Sequence, residues 1–291
     1  MSADVAAVIE AHRAAGRGFE AAGVRSFALD AGSGEAVVLI HGVPSSSFLY
    51  RKVAPLVAER GYRAIAFDFP GLGLAERPRE FDYRWSGLAR WMGEALAALE
   101  VDRCHLVVHD VGGPIGLEWA IRNRERVITL TVLNTLLNVA SFRRPWSMRP
   151  FATRGIGELW LRSLNRFSMR QVLYLQTIAD RKAVPPEEMS AYYDLLVRED
   201  GGRGFLEVMR GFELTQEHED FFRKGVAHRQ WPTQVVWGER DQAIGAKSRE
   251  FAMEILELVT PPILLPAKHF PQEDHAPAVA EAIAALAGEA R

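Results

Sequence analysis

The chain has 291 residues, 48% of them hydrophobic, enough to bury one large core or two ordinary ones. A formal net charge of −2 without a long basic run argues against a nucleic-acid partner. Cys104 is the single cysteine, which excludes an internal disulfide and a cysteine-based zinc cage; no apolar run is long enough for a bilayer, and the first residues lack a signal-peptide pattern, so a cytoplasmic protein off the membrane is the expectation.

Residues 3–22 mix small, apolar and charged residues and predict a helix. Val24 to Leu29 alternates like a strand, and Ala31 to Gly34 is a turn. Ala36 to Ile40 is a buried strand running into His41-Gly42-Val43-Pro44. Helical spacing over Ser47 to Glu59 leads to a second buried strand, Ala64 to Phe67, closed by Asp68-Phe69-Pro70-Gly71-Leu72-Gly73. Then come a helix over Tyr83 to Leu99, a strand over Leu106 to Val108, a helix over Gly113 to Asn123 and a strand over Val127 to Leu133. This alternation predicts parallel βαβ units and a doubly wound α/β sheet.

The strands then stop. Gly155 to Leu164, Ser168 to Asp180, Pro186 to Arg198 and Gly204 to Leu214 each have helical spacing. The strand pattern resumes at Gln234 to Trp237, followed by a helix (Ser248 to Leu258), a strand (Pro262 to Leu265) and a closing helix (Ala276 to Leu286). The expected organisation is an α/β core of residues 1–137 and 231–291, interrupted by a helical cap of residues 138–230. A cap inserted between two strand ends lies over the carboxyl edge of the sheet, where open α/β sheets bind ligands.

Three polar residues fall at or after strand ends. Asp110 sits at the apex of a strand–turn–helix with Gly112, Gly113 and Gly116 behind it, the layout of a nucleophile elbow without its usual serine. Asp241 follows the strand ending at Trp237, with Glu239 as its rival, and His269 follows the last strand, with His275 as its rival. A histidine whose tautomer is fixed by a carboxylate can take a proton from water. An aspartate nucleophile displaces a leaving group from saturated carbon and forms an alkyl ester of the enzyme. The N–H groups of Val43 and Val111 are the expected oxyanion donors. Arg51 and Lys52 read as a solvated helix face, and Asp68 and His41 as supports of their loops.

His41-Gly42-Val43-Pro44, Phe48-Leu49-Tyr50-Arg51-Lys52, Asp68 to Gly73, His109-Asp110-Val111-Gly112-Gly113 and His269-Phe270-Pro271-Gln272-Glu273 resemble the α/β-hydrolase superfamily, in its haloalkane dehalogenase and epoxide hydrolase branch. The resemblance implies a hydrolase without a cofactor or metal, acting on a small apolar molecule and water, with a homodimer left open. Dehalogenases usually carry tryptophan after the nucleophile and often asparagine after His-Gly to hold the halide; here these are Val111 and Val43. Epoxide hydrolases use cap tyrosines to protonate the ring oxygen, which makes Tyr174, Tyr192 and Tyr193 candidates, with Trp160 as a further donor and His41 beside the substrate. The expectation is an epoxide hydrolase, with a dehalogenase using an atypical halide site as the alternative and a non-catalytic binding homologue behind both.

Overall fold

The computed structural model describes residues 3–227 and 229–290. Their strands are β1 (Gly16–Ala21), β2 (Val24–Gly32), β3 (Ala36–Ile40), β4 (Arg63–Phe67), β5 (Cys104–Asp110), β6 (Val127–Thr135), β7 (Thr233–Gly238) and β8 (Ile263–Leu265). They form one sheet in the order β1-β2-β4-β3-β5-β6-β7-β8. β1 and β2 are antiparallel to their neighbours, and every pairing from β4 to β8 is parallel. β3 and β5 lie at the centre and are buried along their whole length. Their continuous apolar runs suit a sheet covered on both faces.

Helices α1 (Ala3–Ala14), α2 (Val53–Ala58), α3 (Trp85–Ala98) and α4 (Gly112–Arg122) belong to the first half of the chain. Between β6 and β7 run α5 (Ile156–Ser163), α6 (Arg166–Thr177), α7 (Pro186–Val197), α8 (Arg203–Arg210) and α9 (Gln216–Val226). The chain closes with α10 (Ala246–Ile255), α11 (Pro271–Asp274) and α12 (Ala276–Glu289). No helix among the described residues is long and apolar enough to cross a membrane.

Several elements differ from the sequence expectation. The single N-terminal helix is instead α1 followed by β1, which turns through Ala22 and Gly23, both at positive φ, to pair with β2. Such a two-residue turn matches the twist of a hairpin. β1 (Gly-Arg-Gly-Phe-Glu-Ala) has few β-branched or aromatic residues, so its strand character comes from pairing with β2. Ser47 to Glu59 is also divided, into a 3-10 turn over Ser47–Tyr50 and α2, whose first turn holds Pro55. α9 was not anticipated, although Thr215 caps it by accepting a hydrogen bond from His218 N at 3.2 Å.

Candidate active site

β5 ends at Asp110, whose φ of +53° is a left-handed conformation that a non-glycine residue rarely adopts. The strained bend lifts the carboxylate off the sheet at the start of α4. Neighbouring glycines make the bend possible: a Cβ on Gly42 would run into the Asp110 carboxylate, and one on Gly113 would overlap Thr135 Oγ1. Thr135 in turn donates to the carbonyl of Asp110 and ties the bend to β6.

The carboxylate is held at both oxygens. Val43 N donates to Oδ1 at 2.8 Å, and Oδ2 lies 3.4 Å from His269 Nε2. His269 Nδ1 is 2.8 Å from Asp241 Oδ2, so the three residues form a connected row. All three are buried. Asp241 Oδ1 accepts from Ala243 N at 2.8 Å and Ile244 N at 3.0 Å, and Oδ2 also accepts from Asn134 Nδ2 at 2.7 Å. Asn134 Oδ1 accepts from Gly238 N at 2.8 Å, so this side chain joins the ends of β6 and β7 and orients the acid. Asn134 carries no charge and sits near the carboxyl end of β6, where a side chain can support the site without joining the row. Glu239 and His275, the rivals, stand outside the row: Glu239 is exposed and His275 pairs with Asp274 at 2.8 Å.

Burial lowers the pKa of His269, but Asp241 and Asp110 outweigh it and raise the value to about 10, so the resting imidazole is a cation. Burial raises the Asp110 pKa, but the hydrogen bond and charge of His269 bring it below the ordinary carboxylate value. His109 stacks on His269 with ring centroids 4.8 Å apart, and its Nε2 donates to the His269 carbonyl at 2.8 Å. Burial, reinforced by the His269 charge, lowers His109 to about 3, so it stays neutral and braces the loop.

Above Asp110 is a cavity of about 60 Å³ whose wall also includes Val43, Val111 and His269. The helices between β6 and β7 supply the opposite wall through Trp160, Leu173, Gln176 and Met209. The wall is mostly apolar. Trp160 borders the cavity as expected, but its indole N–H is spent on Ser147 O at 3.2 Å.

The three tyrosines expected at the cavity do not border it. Tyr174 donates to Val184 O at 2.6 Å, Tyr193 to Leu164 O at 3.1 Å, and Tyr192 to Glu273. Each phenol satisfies a polar group between packed helices, which its position in a helical repeat could not reveal. His41 lies outside the cavity wall as well. Its Nδ1 donates to Gly42 O at 2.9 Å and its Nε2 accepts from Phe69 N at 3.2 Å, so it fastens the loop after β3 to the loop after β4.

Arg51 and Lys52 are half-buried and paired with acids, not the solvated helix face expected from the sequence. Arg51 donates to Glu273 at 2.5 and 2.8 Å and also to Glu188, while Lys52 Nζ lies 2.9 Å from Glu188 and 3.1 Å from Glu273. The Glu273 side chain has no exposed surface, so its charge required cations brought from elsewhere in the fold. Asp68 is structural as expected: Ser47 N and Leu74 N both donate to it at 2.6 Å.

Glu118, Glu213 and His218 offer ligand atoms within 4.8 Å of one another and could hold a metal ion by distance alone. None borders the cavity. Arg122 pairs with Glu118 at 3.0 Å, and Glu213 accepts from Ser86 N at 2.7 Å and Ser86 Oγ at 3.1 Å.

A family model described as the alpha/beta hydrolase fold matches residues 35–276. The chain belongs to the alpha/beta hydrolase family. Within this family it is 38% identical over 112 residues to a haloalkane dehalogenase from Psychrobacter cryohalolentis, a match covering 38% of the chain and 37% of that relative. The chain therefore spans well under half the length of this curated relative. A haloalkane dehalogenase from Mycobacterium marinum is 28% identical over 261 residues, covering 86% of the chain and 84% of the relative. The solved structure of epoxide hydrolase CorEH superimposes with a TM-score of 0.77 at 20% identity, over 95% of this chain and 99% of that one, which shows a shared alpha/beta hydrolase fold.

Proposed function

We propose that this hydrolase works through an alkyl ester on Asp110, and that its substrate loses a halide from saturated carbon. The observation that carries the reading is an ionised carboxylate at the elbow, backed by His269 and Asp241 and opening on an apolar cavity. Oδ1 is anchored by Val43 N, which leaves Oδ2 to attack. The Oδ2–carbon bond forms as the carbon–halogen bond breaks, and the halide leaves with the electron pair. Esterification removes the Asp110 charge and with it part of what keeps His269 protonated. The His269 cation yields its proton to solvent, and neutral His269 then takes a proton from water, whose oxygen attacks Cγ of Asp110. Oδ1 carries the developing negative charge and accepts from Val43 N. Collapse releases the alcohol, which receives the proton from His269, and the proton left on the Asp110 carboxyl passes to His269 and restores the ionised pair.

Halide loss is preferred over the epoxide opening expected from sequence because all three candidate phenols are engaged away from the cavity. Gln176 supports it. Gln176 borders the cavity; its Oε1 accepts from Ser147 Oγ at 2.8 Å, and its amide N–H₂ has no acceptor among the described residues. We assign that group to the departing halide. The longer of the two dehalogenase matches, over 86% of the chain, points the same way. The epoxide reading rests on the apolar side chains of Val43 and Val111, which offer a halide no donor. The substrate is a small molecule, with residues 138–230 as the cap over it and the cytoplasm as the compartment.

The experiment is intact-protein mass spectrometry of His269→Gln exposed to 1-bromohexane and, separately, to 1,2-epoxyhexane. A hexyl adduct on Asp110, absent from Asp110→Ala, is the expected result. An adduct from the epoxide alone would shift the assignment to epoxide hydrolysis. No adduct from either would remove the covalent mechanism.

A further inference from the structure

Among the side chains bordering the cavity, Arg144 is out of character. Its wall is otherwise almost entirely apolar, and among the described residues no carboxylate pairs with this guanidinium. Nη2 donates to Met209 O at 3.0 Å, and the guanidinium carbon sits 4.5 Å above the Phe212 ring. Met209 and Phe212 border the cavity too. The group is thus held in place by a carbonyl and a ring, neither of which neutralises it. Nε is buried without a hydrogen-bond partner. Desolvating a cation without a counter-charge is costly, and such a group is stabilised when an anion arrives. Arg144 and Asp110 both border the cavity, yet neither Asp110 nor any other described carboxylate pairs with the guanidinium, which makes its own contacts with Met209 and Phe212.

Arg144 and Phe142 also border a second, open hollow on the protein surface. Arg143 and Arg149 line that hollow, and among the described residues neither is ion-paired with a carboxylate. Arg144 thus borders both hollows, with Arg143 and Arg149 beside it in the outer one. A neutral alkyl substrate has no use for this charge. Clustered charge of one sign at an entrance raises the local concentration of the opposite ion.

We propose that Arg144 binds a carboxylate carried by the substrate at the end remote from the carbon that Asp110 attacks, and that Arg143 and Arg149 draw this anion to the entrance. The preferred substrate is then a short apolar chain with a leaving group at one end and a carboxylate at the other. This substrate class rests on the alkyl-ester reading above, whereas binding of the anion does not depend on it.

The test begins with unreactive ligands on the whole protein. Isothermal titration at low salt should show hexanoate binding at least about tenfold tighter than hexanamide, the size expected for one charge-assisted hydrogen bond. That preference should vanish in Arg144→Met and survive in part in Arg144→Lys, which keeps the charge. Equal binding of hexanoate and hexanamide by the unaltered protein overturns the proposal whether or not Arg144→Met folds, and so does a preference that persists in a folded Arg144→Met. Turnover is the second arm: 6-bromohexanoate should exceed 1-bromohexane in kcat/KM, with the ratio falling in Arg144→Met. Hexanoate selectivity that depends on Arg144 but comes with no adduct on Asp110 in His269→Gln would leave the anion site standing and reject the alkyl ester.

Discussion

The hydrogen bonds around Asp110 assign different work to neighbouring residues, and each assignment has a measurable consequence. Asn134 binds both Asp241 and Gly238 N, so Asn134→Ala leaves the acid with two backbone donors but a looser orientation. Activity should drop by about tenfold, the order found for removing an outer partner of a site. In the proposed mechanism Asp241 acts through His269, so ester hydrolysis should slow more than ester formation, which single-turnover kinetics would separate. Gly42→Ala should abolish turnover while leaving the fold largely intact, since the added methyl collides with the Asp110 carboxylate, the nucleophile of the proposed mechanism, and displaces it. The two chemical steps should also differ in pH response. Asp110 is ionised well below neutrality, so ester formation should be flat through the neutral range. Hydrolysis needs neutral His269 and should rise with pH, with a midpoint below the resting value of about 10 because the ester has lost the Asp110 charge.

Among elements, one contact that joins the helices between β6 and β7 to the rest of the fold is ionic. Arg51 and Lys52 precede α2, Glu188 lies on α7, and Glu273 lies on α11 in the loop after His269. Tyr192 of α7 donates to the same Glu273, and its ring packs on Phe48 and Phe270. Burial works against ionisation of Glu273, but Arg51 keeps its pKa below the ordinary value. Arg51→Met removes the stronger partner of a buried charge and should destabilise the protein by about 3–5 kcal/mol. Chemical denaturation would measure this. A loss under about 1 kcal/mol would mean that Lys52 and Tyr192 suffice. The sequence reading placed Arg51 and Lys52 on a solvated face because helical spacing gives the face of a side chain but says nothing of an acid 222 residues away.

For the whole molecule, stability should depend on pH from both sides. The folded pKa of His269 is raised from 6.5 to about 10, so its contribution is complete below pH 6.5 and is lost as pH rises through 10. Asp110 and Glu273 are lowered, so their contributions are present above the ordinary carboxylate range and are lost as pH falls through their folded values. Melting curves of the unaltered protein and His269→Gln should therefore converge as pH rises from 6.5 towards 10. Much of this architecture was legible in the chain itself. Buried strands are continuous β-branched runs, the elbow is marked by its glycines, and Asp110, Asp241 and His269 each follow a strand, because local sterics and hydrophobic period act within a few residues. The hairpin of β1, the turning away of three tyrosines, the two partners of Asn134 and the surroundings of Arg144, which pairs with no carboxylate among the described residues, had no such local mark. Each depends on which distant backbone carbonyl or charge comes within about 3 Å once the helices pack over the sheet, and hydrogen bonds and ion pairs of that length are fixed only by the closed fold.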